Sequence, residues 1–159
     1  MTIKVGDKVP NAKVFIMKDG RPSATTTDDL FKNKKVVLFA VPGAFTPTCS
    51  QAHLPGFVVN ADKIKAKGVD SIVCLSVNDA FVMDSWGKGA NASELIMAAD
   101  GNGEFTKAVG LEMDGSGFGL GKRSQRYAMV VQNGVVKTLN VEAPGKFEVS
   151  SAEAILKAL

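Results

Sequence analysis

The clearest hydrophobic block in the chain is Val36-Val37-Leu38-Phe39-Ala40-Val41, six apolar residues without polar alternation. Its length and β-branched content predict a strand buried on both faces. Val69 to Val77 reads the same way, as a second interior strand. Val14 to Met17 predicts a short strand ending at the Asp19-Gly20 turn. Tyr127 to Gln132 and Val135 to Val141 flank Asn133-Gly134 and predict a hairpin. Helices are expected as well. Thr25-Thr26-Thr27 before Asp28-Asp29-Leu30 suggests a capped turn. A helix through Cys49 continues past Pro55-Gly56, kinked there, to about Lys67, with Gly68 as its stop. Asn78 is expected to cap a helix through Trp86 that Gly87 and Gly89 close. Ser150 with Glu153 reads as a capping box for a last helix through Leu159.

Between these, Leu95 to Ala99 is read as a strand, and Asp100-Gly101-Asn102-Gly103 turns into a short helix through Val109, ended by Gly110. Residues 114–125 read as a glycine-rich loop. Strand and helix alternate first and a hairpin follows. This order predicts an α/β fold, a central mixed sheet with parallel strands inside, antiparallel strands at its edge, and helices on both faces. With 159 residues and no linker or repeat, the chain is expected to form a single domain over 1–159.

Composition narrows function mostly by exclusion. Net charge is +3, and no basic run is long enough to suggest nucleic acid or a membrane surface. The lysines at 32, 34 and 35 and at 63, 65 and 67 read as solvated surface. No apolar run reaches membrane-spanning length, and Met1 to Asp7 has no signal core, so a cytoplasmic protein is expected. Two cysteines and one histidine leave neither a disulfide scaffold nor a metal site to propose. The loop Gly115 to Lys122 is no phosphate loop: Ser116 stands where its first glycine belongs, and Arg123 where Ser or Thr is needed.

Chemistry concentrates just after the first interior strand. Pro42-Gly43 breaks it, and Thr46-Pro47-Thr48-Cys49 reads as a helix start. Either Thr46 caps with Pro47 at the first helical position, or Thr48 caps with Gln51 closing a box. Both put Cys49 in the first turn, where unpaired N–H groups and the helix dipole favour a thiolate. A thiol of pKa about 8.5 is only ~3% ionised at pH 7, against ~90% for one lowered to ~6. Nucleophilicity falls with basicity, so a fast reaction also needs groups that stabilise its transition state. His53, four residues on, lies on the same helical face and admits a cysteine hydrolase reading, although no orienting Asn or Asp is identifiable.

Pro42, Thr46 and Cys49 form the Pro-x-x-x-Thr-x-x-Cys pattern of peroxiredoxins. The longer string Pro-Gly-Ala-Phe-Thr-Pro-Thr-Cys-Ser, running on to His53-Leu54-Pro55-Gly56, resembles the type II, peroxiredoxin-five-like subfamily. Cys74-Leu75-Ser76-Val77-Asn78-Asp79-Ala80-Phe81-Val82 to Trp86 and Arg123-Ser124-Gln125-Arg126-Tyr127 agree, so the resemblance covers nearly the whole chain.

The resemblance implies a thioredoxin-like fold, no cofactor, and a peroxidase reducing hydrogen peroxide and alkyl hydroperoxides. Cys49 would become a sulfenic acid with Thr46, Arg126 and Pro42 assisting, and Gly43, Pro47, Thr48, His53, Phe118 and Leu120 would line the substrate pocket. Position alone leaves Arg123 and Arg126 both open; the Arg-Tyr pair at 126–127 selects Arg126 through resemblance. A homodimer is implied too, with the 114–125 loop near its contact. Cys74 lies in an interior strand and no Cys-x-x-Cys is present, so it is a disfavoured resolving cysteine. The reductant is then an external thiol such as glutathione with glutaredoxin, or thioredoxin. The alternative is a redox-sensing or partner-binding protein of the same fold without significant turnover.

Overall fold

The computed structural model describes residues 1–159. Its elements run β1 (Lys13–Lys18), β2 (Arg21–Thr26), α1 (Thr27–Phe31), β3 (Lys35–Val41), a π-helical turn (Cys49–His53), α2 (Leu54–Val59), α3 (Ala61–Ala66), β4 (Ser71–Ser76), α4 (Ala80–Gly89), β5 (Ile96–Ala99), α5 (Glu104–Ala108), β6 (Glu112–Asp114), a 3₁₀ turn (Ser116–Phe118), β7 (Lys122–Ser124), β8 (Tyr127–Gln132), β9 (Val135–Val141) and α6 (Ala152–Ala158). Seven strands form one sheet in the order β2-β1-β5-β4-β3-β8-β9. β3, β4 and β5 run parallel, and β8 and β9 extend the sheet antiparallel beside β3. This is the thioredoxin-like mixed sheet flanked by helices.

The unbroken apolar run of β3 follows from its place at the centre. Val37, Phe39 and Val41 face a core built with α2, α3, α4 and α6. Val36, Leu38 and Ala40 face the other, built with α1 and α5. A strand covered on both sides has no solvent face to alternate toward. β4 divides likewise, placing Cys74 on the first face, in the core that also holds Cys49.

Several elements depart from the sequence reading. Arg21–Thr26 is a strand that Pro22 concealed; it is an edge strand, where a missing N–H is tolerated. Thr26 ends it and caps α1, accepting from the Asp29 amide at 3.2 Å. Asp79, not Asn78, caps α4, which runs on through Gly87 to Gly89. Gly87 sits inside the helix because a Cβ there would come 2.7 Å from Met97 Cγ. Ser151, not Ser150, caps α6. Residues 114–125 are not a plain loop but carry the β6–β7 hairpin.

The helix through Cys49 is also less regular than expected. Helical structure begins at Pro47, yet the Thr46 hydroxyl donates back to the Gly43 carbonyl at 2.6 Å, and Thr48 makes no side-chain cap. The capping box with Gln51 is therefore absent. The first turn widens into the π form, with Leu54 N–H donating to the Cys49 carbonyl, and Pro55 follows at once. A proline lacks its own donor and crowds the carbonyl four residues back, and a π turn relieves both. The helix then breaks at Asn60 rather than bending only at Pro55-Gly56. Gly68 ends α3 at φ +91° as expected.

Candidate active site

Cys49 sits fully buried at the end of the β3–helix connection. The turn before it is held from both sides. The Ala44 amide donates to Asn78 Oδ1, which also accepts from the Ser76 hydroxyl. Arg123 Nη1 donates to the Pro42 carbonyl and Arg123 Nε to the Leu120 carbonyl, both at 3.1 Å. The Arg123 guanidinium lies so close that a Cβ on Gly43 would stand 2.6 Å from Nη1. Arg123 thus clamps the loop.

Arg126 is the one that reaches the sulfur. Its Nη2 donates to Cys49 Sγ at 3.1 Å, from the residue just before β8, the antiparallel neighbour of β3. Nη1 donates to His53 Nδ1 at 2.8 Å, and Cζ lies 5.8 Å from the Phe147 ring centre. His53 is fully buried, and its Nε2 donates to the Ser150 carbonyl at 2.9 Å. Burial, and then the Arg126 charge, hold its pKa down at about 3, so the ring is neutral. Its proton sits on Nε2, since Arg126 can only donate to Nδ1.

That geometry answers the hydrolase reading. Both ring nitrogens of His53 are engaged, and Arg126 stands between imidazole and sulfur, so His53 cannot take a proton from Cys49. Cys74 is fully buried in β4, and burial, then the neighbouring Cys49, push its pKa well up. Both cysteines are free in this structure.

A cleft of about 470 Å³ opens over Arg126, with Pro42, Thr48 and Phe118 among its walls. Of the expected pocket residues, Gly43, Pro47 and His53 are not in this lining: Gly43 and His53 are buried and Pro47 is exposed. Leu120 packs against Gly115 instead. The sequence reading missed the opposite wall, Glu142 to Lys146. Glu142 anchors it: its carboxylate accepts from the Glu148, Val149 and Ser150 amides and from the Ser150 hydroxyl. Burial alone would raise its pKa, but these donors, the hydroxyl foremost, outweigh that and lower it. No sequence signal marked Glu142, because its partners are known only once β9 places it. No cluster of three His, Cys, Asp or Glu stands close enough to hold a metal ion.

A thiol at a helix start under a guanidinium, on a thioredoxin-like sheet, defines a thiol-dependent redox protein. Known proteins give the same answer at finer grain. The redoxin family profile matches residues 4–156. Peroxiredoxin-2E-2, a chloroplastic protein of Oryza sativa subsp. japonica, is 54% identical over 99% of this chain and 73% of its own length. Peroxiredoxin-2C of Arabidopsis thaliana is 48% identical over 99% and 98% respectively. The crystal structure of reduced Prx3 from Vibrio vulnificus in complex with hydrogen peroxide superposes with a TM-score of 0.96 at 60% identity, over 99% of both chains. The chain belongs to the redoxin family and within it to the type II peroxiredoxins. It is a thiol peroxidase, an oxidoreductase acting on a peroxide at the expense of a reducing thiol.

Proposed function

We propose that Cys49 is the peroxidatic residue and that Arg126, Thr46 and Pro42 serve it. The observation that carries this is the Arg126 Nη2 bond to Cys49 Sγ at the helix start. The thiolate attacks one peroxide oxygen, the O–O bond breaks, and Cys49 becomes a sulfenic acid. The departing alkoxide or hydroxide takes a proton and leaves as alcohol or water. Arg126 faces the charge at both ends of this displacement, on sulfur before and on the departing oxygen after. The Thr46 proton is committed to the Gly43 carbonyl, which leaves its oxygen free to accept from the peroxide O–H. Pro42 walls the cleft beside Arg126 and offers no N–H of its own.

An external thiol closes the cycle. It condenses with the sulfenic acid to a mixed disulfide, releasing water, and a second thiol displaces Cys49. The burial of Cys74 supports this one-cysteine route, with glutathione and glutaredoxin or thioredoxin as the source. Exposed Phe45, Phe81 and Phe118 support a homodimer, which analytical ultracentrifugation tests. One equivalent of hydrogen peroxide should add one oxygen to Cys49 by intact and peptide mass. Cys49→Ser should neither gain that oxygen nor turn over peroxide with added thiol; substantial turnover by the folded variant overturns the assignment.

A further inference from the structure

Arg126 is half-buried at the floor of the cleft, and it is anchored without a counter-charge. It makes no ion pair with any carboxylate. The acceptor opposite its Nη1 is the neutral imidazole of His53. Glu142, a carboxylate that lines the same cleft, directs its oxygens to the 148–150 amides and the Ser150 hydroxyl. That brace fixes Ser150, whose carbonyl takes the His53 Nε2 proton. The Glu142 amide donates to the Arg126 carbonyl at 2.9 Å, and the Phe147 ring lies 4.9 Å from that of His53. The chain of bonds runs Glu142, Ser150, His53, Arg126, Cys49.

Resting on the Cys49 reading above, we propose that His53 is a positioning residue for peroxide reduction: it is a charge-neutral anchor that fixes the Arg126 fork against the Cys49 sulfur without cancelling its charge. Two physical arguments meet here. A long guanidinium side chain loses rotamer freedom when held, and a second fixed bond at Nη1 sets the direction of Nη2. A carboxylate would hold the fork as well, but its negative charge would offset the cation that sulfur and departing oxygen need. A neutral imidazole supplies the bond and leaves the charge. The π turn serves this, since Cys49 and His53 bound one turn and a single fork spans both.

The test uses three substitutions read by stopped-flow oxidation of the reduced protein. His53→Asn keeps a neutral oxygen acceptor near the Nδ1 position; His53→Asp differs from it by charge alone; His53→Phe keeps the ring and removes the acceptor. A charged hydrogen bond lost is worth roughly tenfold to a hundredfold in rate. The peroxide rate constant should therefore fall at least about tenfold in His53→Phe and stay within about threefold of wild type in His53→Asn. In His53→Asp it should fall at least about tenfold below His53→Asn. Alkylation of Cys49 by iodoacetamide at a pH that ionises any free thiol should change little in all three, which a merely disordered site would not allow. A wild-type peroxide rate in His53→Phe, equal rates in the Asn and Asp variants, or parallel losses of oxidation and alkylation would each overturn the proposal. Oxygen found on a residue other than Cys49 in the wild type would instead defeat the Cys49 assignment.

Discussion

Replacing Arg126 by alanine separates two roles a guanidinium can play beside a thiol. It can favour the ionised sulfur, or it can stabilise the displacement itself. The structure gives both the means: one donor lies on sulfur at 3.1 Å and the other on His53 at 2.8 Å. Losing a charge-assisted hydrogen bond costs roughly 1.5–3 kcal/mol, or about tenfold to 150-fold. Removing a donor aimed at charge developing in a transition state costs about 10²–10³-fold. We expect the second-order rate constant of Arg126→Ala with hydrogen peroxide to fall by about 10²–10³ at pH 7. Raising the pH to about 10, where any ordinary cysteine is ionised, should leave most of that loss in place. The variant also strands the His53 Nδ1 lone pair in a buried site, at a cost of about 1–3 kcal/mol of stability. Urea unfolding measures that part, and stopped-flow oxidation across pH 6–10 measures the rest. Recovery of the wild-type rate at alkaline pH would show that ionisation is the whole effect and would refute the transition-state role.

Cys74→Ala should turn over peroxide at the wild-type rate with glutathione-linked reduction, and non-reducing peptide maps of oxidised wild type should lack a 49–74 disulfide; a large loss together with that disulfide would reverse the one-cysteine route. Thr46→Val removes the hydroxyl that donates to the Gly43 carbonyl and is proposed to accept from the peroxide, and the oxidation rate should fall about tenfold or more, with an unchanged rate refuting the acceptor role. Acid should destabilise the fold through His53. Its folded pKa of about 3 lies below the free value near 6.5, so the unfolded chain binds the proton first. The stabilisation is present above about 6.5 and is lost toward 3, at roughly 1.4 kcal/mol per pH unit. The lowered Glu142 adds in the same direction at lower pH, while the carboxyl of Asp100, raised by burial, opposes it. Urea unfolding between pH 4.5 and 6.5 should therefore have a shallower pH slope in His53→Asn than in wild type, and an equal slope would refute this assignment.

What the sequence determined by itself was local. The apolar run of β3, the Pro42-Gly43 break and the Thr-Pro helix start place Cys49 because each acts through its immediate neighbours. The hairpin at Asn133-Gly134 was legible for the same reason: both residues take the positive φ values, 48° and 79°, that its turn requires. The family strings added Thr46 and Arg126. Position in the chain did not separate Arg126 from Arg123, three residues away. That choice is made by the antiparallel register of β8 on β3, which points one guanidinium at the sulfur and leaves the other on the Pro42 carbonyl. Caps off by one residue, Asp79 for Asn78 and Ser151 for Ser150, have a related cause. Asn78 and Ser150 are drawn off by distant partners, Ala44 and Glu142, so the next residue is left to cap. His53 is the fullest case. Its spacing from Cys49 admitted a base, and tertiary structure made it a neutral acceptor, because burial removes its charge and Arg126, 73 residues away in the chain, supplies its partner.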